Sequence, residues 1–204
     1  MGPLIGEVLA ALETLASLAA PHRIIGIAGA PGAGKSTIAA ALAERLHGVV
    51  LPMDGFHLPQ ARLVELGRRD RMGAPDTFDV DGFVRVLADL HVSGGPVFAP
   101  GFDREREEPV ADAIVIQPEV RHVVVEGNYL LLESGGWERV APLLDVTVFI
   151  ELDRGIRQQR LIERHLRFGK SRDEATAWVI GPDERNAELI AATAARADHV
   201  LRVD

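Results

Sequence analysis

The stretch RIIGIAGAPGAGKST, residues 23–37, runs from a β-branched segment through a glycine-rich turn into an apolar-periodic segment. Its first half reads as a buried strand, a short Ile-rich run bounded by glycine. GAPGAGKS, residues 29–36, matches G-x-x-x-x-G-K-[ST] in full. Gly32 and Gly34 let the backbone curl so that its amides converge on phosphate oxygens, Lys35 reaches the β- and γ-phosphates, and Ser36 offers a hydroxyl to Mg²⁺. Ile38, Leu42 and Leu46 then recur at helical spacing until Gly48, and the start of that helix favours anions. A strand before and a helix after are the context the motif requires. The stretch therefore predicts a site for a nucleoside triphosphate, taken as ATP, built from Gly29, Ala30, Pro31, Gly32, Ala33, Gly34, Lys35, Ser36 and Thr37.

The bulk properties narrow the remainder. At 204 residues the chain suits one α/β domain over residues 1–204, with room for a small insert. A formal charge of -8 argues against wholesale binding of nucleic acid or anionic membrane, since a phosphate footprint needs a basic face. The absence of cysteine excludes disulfides, thiolate zinc sites and a cysteine nucleophile, and fits a cytoplasmic protein. No apolar run is long enough to span a bilayer. Residues 1–20 read as an amphipathic helix, carrying Glu7 and Glu13, that packs on its own domain or on a second subunit, which leaves a homodimer open.

Further along, VVLPM reads as a second strand, residues 58–80 as a long polar loop with about one helical turn, and DGFVRVLADLH as a helix. AIVIQ, RHVVVEGNYLLL, DVTVFIEL and HVLRV are strand-like. Residues 153–168 form a charged helix, and RDEATAWVIGPDERNAELIAATAARA is helical with a break at Gly181-Pro182. Strands alternating with helices predict a three-layer α/β/α fold of the P-loop NTPase kind, with a mostly parallel five-stranded sheet and a helical lid near residues 160–175.

Two acids stand at strand ends, where parallel α/β sheets place their ligand crevice. Asp54 follows VVLPM, either as an Asp-Gly turn or as a carboxylate over a reaction centre; Glu126 follows RHVVV, either as a turn cap or as a metal-assisting acid with Ser36. The DVDG stretch at residues 79–82 formally fits the GTPase D-x-x-G, but there is no N-K-x-D, and Asp79 or Asp81 reads as a helix N-cap. Arginines at 154, 157, 160, 164 and 167 share one helical face. The stripe is either solvated and ion-paired or a lid that closes over the transferred phosphoryl group. On the second reading Arg160 and Arg164 are the catalytic choices, followed by Arg167 and Arg172, with Arg154 at the surface.

These motifs resemble the P-loop small-molecule kinase family that contains uridine kinase, bacterial pantothenate kinase and phosphoribulokinase, most of all its compact bacterial nucleoside or fructose-transport-type branch. MDGFH (residues 53–57) is similar to the family's D-[GS]-F segment, which implies that Asp54 is the base, with Phe56 and His57 in the acceptor pocket. MGAPDTFD, ending at Phe78 and Asp79, and PGFDRE, with Phe102, Asp103 and Arg104, resemble the acceptor-side segments. VVVEGNYLL resembles the V-x-x-E-G strand, which puts Glu126 by the metal and Asn128 and Tyr129 near the substrate. Asn186 resembles an asparagine near the nucleotide. The resemblance implies transfer of a phosphoryl group from ATP, with Mg²⁺, to a hydroxyl of a small metabolite such as a nucleoside, a pantothenate-like acid or a sugar. Phe102 stands where the family carries tyrosine, and no histidine follows FDRERE. Two rival readings are a nucleotide-dependent regulatory protein without a small acceptor and a nucleoside monophosphate kinase.

Overall fold

The protein is described by a computed structural model covering residues 23–203, so the helix expected within residues 1–20 lies outside the described residues. The chain runs β1 (Arg23–Gly29), α1 (Lys35–Leu46), β2 (Val49–Pro52), α2 (Gln60–Glu65), α3 (Val80–Val92), β3 (Val97–Asp103) and β4 (Glu108–Ile116). It continues through β5 (His122–Gly127), β6 (Val146–Leu152), α4 (Arg154–Arg167), α5 (Arg172–Trp178), α6 (Glu184–Ala191) and β7 (His199–Val203). Strands β2-β5-β1-β6-β7 form a five-stranded, wholly parallel sheet, as the alternation of strands and helices predicts.

Both faces of this sheet are covered, which is why its strands read as near-continuous apolar runs. Successive side chains of β1 point to opposite faces. Ile25 and Ile27 pack with Ile38, Ala39 and Leu42 of α1 in one core. Ile24 and Ala28 join Phe83, Leu87 and Leu90 of α3 and Ile190 of α6 in the other. Each fully buried aliphatic side chain contributes about 1.5–3 kcal/mol relative to exposure, so the two cores fix the register. That register sets the site: Ile27 of β1 and Pro52 of β2 both pair with Glu126 of β5. The glycine-rich turn, Glu126 and the residues after Pro52 therefore leave the sheet together at the carboxyl ends of the strands.

The structure departs from the sequence reading in three places, the first being that RHVVVEGNYLLL is strand only as far as Gly127, where β5 ends. AIVIQ is not part of the main sheet: it ends β4, which pairs antiparallel with β3 as a separate two-stranded hairpin. β3 escapes recognition because Pro100 and Gly101 look like breakers; a register shift between Ala99 and Gly101 absorbs them. Nor does Gly181-Pro182 break the last helical region. Residues Val179–Asp183 form one wider π turn that runs into α6, a form that tolerates the missing Pro182 amide. The N-cap expectation holds at Asp79, whose carboxylate accepts from the Gly82 amide at 2.9 Å.

Two contacts lock the Asp54 turn, residues Met53–Phe56, into this frame. The residues beside it pair with the 77–79 segment, Leu58 donating to the Thr77 carbonyl and Asp79 to the Phe56 carbonyl. On the other side Gly55 lies against β3 so closely that a β-carbon would collide with the Pro100 carbonyl oxygen. Gly55→Ala must separate these segments, and we expect it to lower unfolding stability by about 1–3 kcal/mol. Urea unfolding of the variant beside the parent checks this; an unchanged midpoint would contradict the close approach.

Candidate active site

A cleft of about 310 Å³ opens at these strand ends, walled by the turn after β1, the Asp54 turn, the β3–β4 hairpin and helix α4. The glycine-rich turn behaves as its spacing requires. Gly32 and Gly34 take positive φ (82° and 93°), and Gly34 stands as the N-cap of α1. Lys35 is buried at 7 % exposure, and its ammonium donates to the Ala30 carbonyl (3.1 Å) and to Asn128 Oδ1 (2.7 Å). Burial pushes its pKa down to about 8, against the opposing charges of Glu126 and Asp54. Ser36 Oγ donates to Glu126 Oε1 at 2.9 Å. Burial and then the nearby Asp54 charge raise the Glu126 carboxyl above the usual range.

The hydroxyl of Ser36 and the carboxylate of Glu126 are hard oxygen donors side by side at the mouth of the turn, the donor set that Mg²⁺ takes. Among the described residues no group of three or more His, Cys, Asp or Glu forms a metal cage. Mg²⁺ usually binds through one or two protein oxygens plus phosphates and water, so the residues present fit the ion.

Asp54 lines the same cleft. Its Oδ2 accepts from Arg104 Nη2 at 2.9 Å. Burial would raise its pKa, but the positive charges of His57, Arg104, Lys35 and Arg164 outweigh it and hold the carboxyl below its ordinary value. His57 is itself pushed down by burial, so near neutral pH Arg104 leads among those charges. The His57 ring lies between Phe78 (3.9 Å between centroids) and Phe102 (4.9 Å), with Nδ1 2.9 Å from the Asp54 carbonyl oxygen. That carbonyl can only accept, so Nδ1 carries the proton and the other ring nitrogen of neutral His57 is an acceptor.

On the facing wall α4 brings Arg160, Leu161 and Arg164 to the cleft, followed by Lys170, Trp178, Asp183 and Asn186. The arginine stripe therefore splits. Arg160 and Arg164 line the cleft, Arg154 is exposed and pairs with Glu184 at 3.0 Å, and Arg167 points to solvent. Arg157 is buried at 4 % exposure, paired with Glu184 at 2.6 Å and donating to the Pro31 carbonyl at 3.4 Å. It ties the phosphate-binding turn to both α4 and α6, a role its place in the stripe did not reveal.

Several expected site residues lie elsewhere. The Phe56 ring is buried against Phe83 (4.9 Å) in the core, because the turn after β2 aims it inward. Tyr129 is fully buried and donates from its hydroxyl to the Gly73 carbonyl, holding the 72–79 segment instead of lining the cleft; burial and then the Asp183, Asp76 and Asp54 charges raise its pKa. Asp103 accepts from the amides of Glu105 and Arg106, shaping the hairpin turn. Arg167 and Arg172 are both exposed and outside the cleft, since α4 ends at Arg167 and Arg172 opens α5 on the far side. Of the turn residues, Gly29 closes β1, Ala33 is buried in the core and Ala30 contributes only the carbonyl that holds Lys35. Asn186 lines the cleft, but its amide donates to the Gly73 carbonyl at 3.2 Å, on the side of the 72–79 segment. Met72 and Gly73, which open the MGAPDTFD stretch, line the cleft as an acceptor-side segment would, while Arg69, Glu107 and Trp178 line it without a sequence signal beyond the arginine-rich residues 68–71 for Arg69.

A family model described as Phosphoribulokinase / Uridine kinase family matches residues 24–203. A protein of Schizosaccharomyces pombe provisionally named a uridine kinase is 36% identical over 169 residues, covering 76% of this chain and 71% of that protein. The uncharacterized protein YggC of Escherichia coli is 33% identical over 206 residues, covering 97% of this chain and 84% of its own. The crystal structure of a Silicibacter protein, provisionally named a fructose transport system kinase, superposes with a TM-score of 0.86 at 36% identity, covering 98% of this chain and 99% of that one.

The lowered Lys35 pKa has a readable sign. Below about 8 the ammonium is charged and attracts phosphate; above it the free protein must take up a proton to bind. Affinity for ADP in a metal-free buffer should fall about tenfold from about pH 7 to about pH 9, and Lys35→Arg, which stays charged, should flatten the dependence. Calorimetric titration across that range checks it.

Proposed function

Because the chain belongs to the Phosphoribulokinase / Uridine kinase family, and is thus a kinase with a hydroxyl acceptor, we propose that it transfers the γ-phosphoryl group of ATP to a hydroxyl of a small metabolite. The observation that carries this reading is the position of Asp54: a carboxylate set in the same cleft as Lys35, Ser36 and Glu126, on a turn held from both sides. A nucleotide-dependent switch without a small acceptor needs no base for an acceptor hydroxyl, whereas a kinase does.

The residues divide the work. The backbone amides of the turn and the Lys35 ammonium would hold the phosphates, and Ser36 and Glu126, already in contact, would hold Mg²⁺. When bound, the ion offsets phosphate charge. Asp54 accepts the proton of the acceptor hydroxyl as its oxygen forms the new bond to phosphorus and the bond from phosphorus to the β-γ bridging oxygen breaks, leaving ADP. Arg160 and Arg164, on the facing wall, offset the negative charge that spreads over the transferred oxygens. His57, Phe78 and Phe102 wall the acceptor side, and Phe102 offers it no hydroxyl.

Asp54→Asn keeps the shape of the side chain and removes the base. Acceptor-dependent ADP formation should fall by about 10²–10⁴-fold, with ATP binding retained. Coupled ADP release on a panel of nucleosides, pantothenate-like acids, sugars, sugar phosphates and nucleotides measures both. Turnover that no acceptor raises, together with an Asp54→Asn variant indistinguishable from the parent, would return the protein to the regulatory class.

A further inference from the structure

Arg104 occupies an unusual place for a guanidinium beside a proton acceptor. Its Nη2 holds Oδ2 of Asp54 at 2.9 Å, and its side chain is 45% exposed at the cleft surface. The rest of the fork has no partner among the described residues. Its position is built. Asp103 folds the hairpin turn beneath it, and the packing of Gly55 on Pro100 presses that hairpin against the Asp54 turn. The turn is also clamped from α2, where the Gln60 amide side chain donates to the Glu107 carbonyl at 2.9 Å. On the same wall Arg69 is held by Glu107 at 2.7 Å.

A hydroxyl that is to lose its proton to Asp54 meets a carboxylate with one oxygen already engaged by Arg104. A neutral acceptor, with only uncharged hydroxyl or carbonyl oxygens, does not offer the guanidinium a partner of equal charge in exchange. An oxyanion does, because a carboxylate or phosphate matches the fork with two parallel hydrogen bonds.

We infer that the acceptor is anionic, carrying a carboxylate or phosphate a few bonds from the hydroxyl that is phosphorylated, and that this group takes Arg104 over from Asp54 as the hydroxyl reaches the carboxylate. The inference rests on the kinase reading above and deepens it. The short spacing follows from the guanidinium standing directly on the base, and Arg69 is a further cation on the same wall for a doubly charged group.

Matched acceptors that differ in the anion test it: glycerate against glycerol, ribose 5-phosphate against ribose, with uridine as a neutral nucleoside, each followed by ADP formation with ATP and Mg²⁺. In at least one pair the charged member should exceed the neutral one by about 100-fold in kcat/KM, the pair that responds distinguishing carboxylate from phosphate. Arg104→Gln should abolish that preference mainly by raising KM for the acceptor, and Arg104→Lys should restore part of it. A neutral acceptor used as well as or better than its charged counterpart, or an Arg104→Gln enzyme that keeps the parent's preference, overturns the inference and leaves the kinase reading standing. ADP formation raised by no acceptor of either charge overturns both.

Discussion

One buried cation organises the catalytic end of this protein. Lys35 is nearly excluded from solvent, and an ammonium so placed needs oxygen around it. The Ala30 carbonyl and Asn128 Oδ1 supply direct bonds, while Glu126 and Asp54 supply opposing charge. These groups come from the turn after β1, the end of β5 and the turn after β2. The parallel register, which pairs Ile27 and Pro52 with Glu126, brings them to one end of the sheet.

The same requirement explains the wall opposite. Within the protein, Arg157 donates to the carbonyl of buried Pro31 in the glycine-rich turn. Arg157 is buried only because Glu184 neutralises it, and Glu184 also accepts from Gln158 at 2.9 Å and pairs with Arg154. Breaking such a pair leaves a buried charge uncompensated, so α4 and α6 are bound to the phosphate-binding turn more firmly than an exposed arginine stripe would be. Arg160 and Arg164 are thereby carried on a helix whose base is anchored to the turn they face.

Much of the site was legible because it is local. The phosphate-binding turn, Asp54 at a strand end and Glu126 beside Ser36 are consequences of spacing and of strand direction. Phe56, Tyr129 and Asp103 were misread for a shared reason: each sits one or two residues from a cleft residue, and a turn of backbone sends it into the core or into the hairpin. The arginines of α4 illustrate the limit most clearly. A helical wheel places five of them on one face, yet their environments range from solvent at Arg167 to burial at Arg157, because the P-loop and α6 pack against only part of that face.

The amino-acid sequence by itself determined the glycine-rich strand-turn-helix, the parallel α/β class, and the acids that leave the sheet beside that turn. Those features follow from short-range periodicity and backbone permissiveness, which are properties of neighbouring residues. Only the tertiary structure decided that β3 and β4 form a separate hairpin, that this hairpin lays Arg104 on Asp54, and that Arg157 props the phosphate-binding turn. The last two join residues 50 and 126 positions apart, and the free energy that selects them comes from packing and charge compensation between elements.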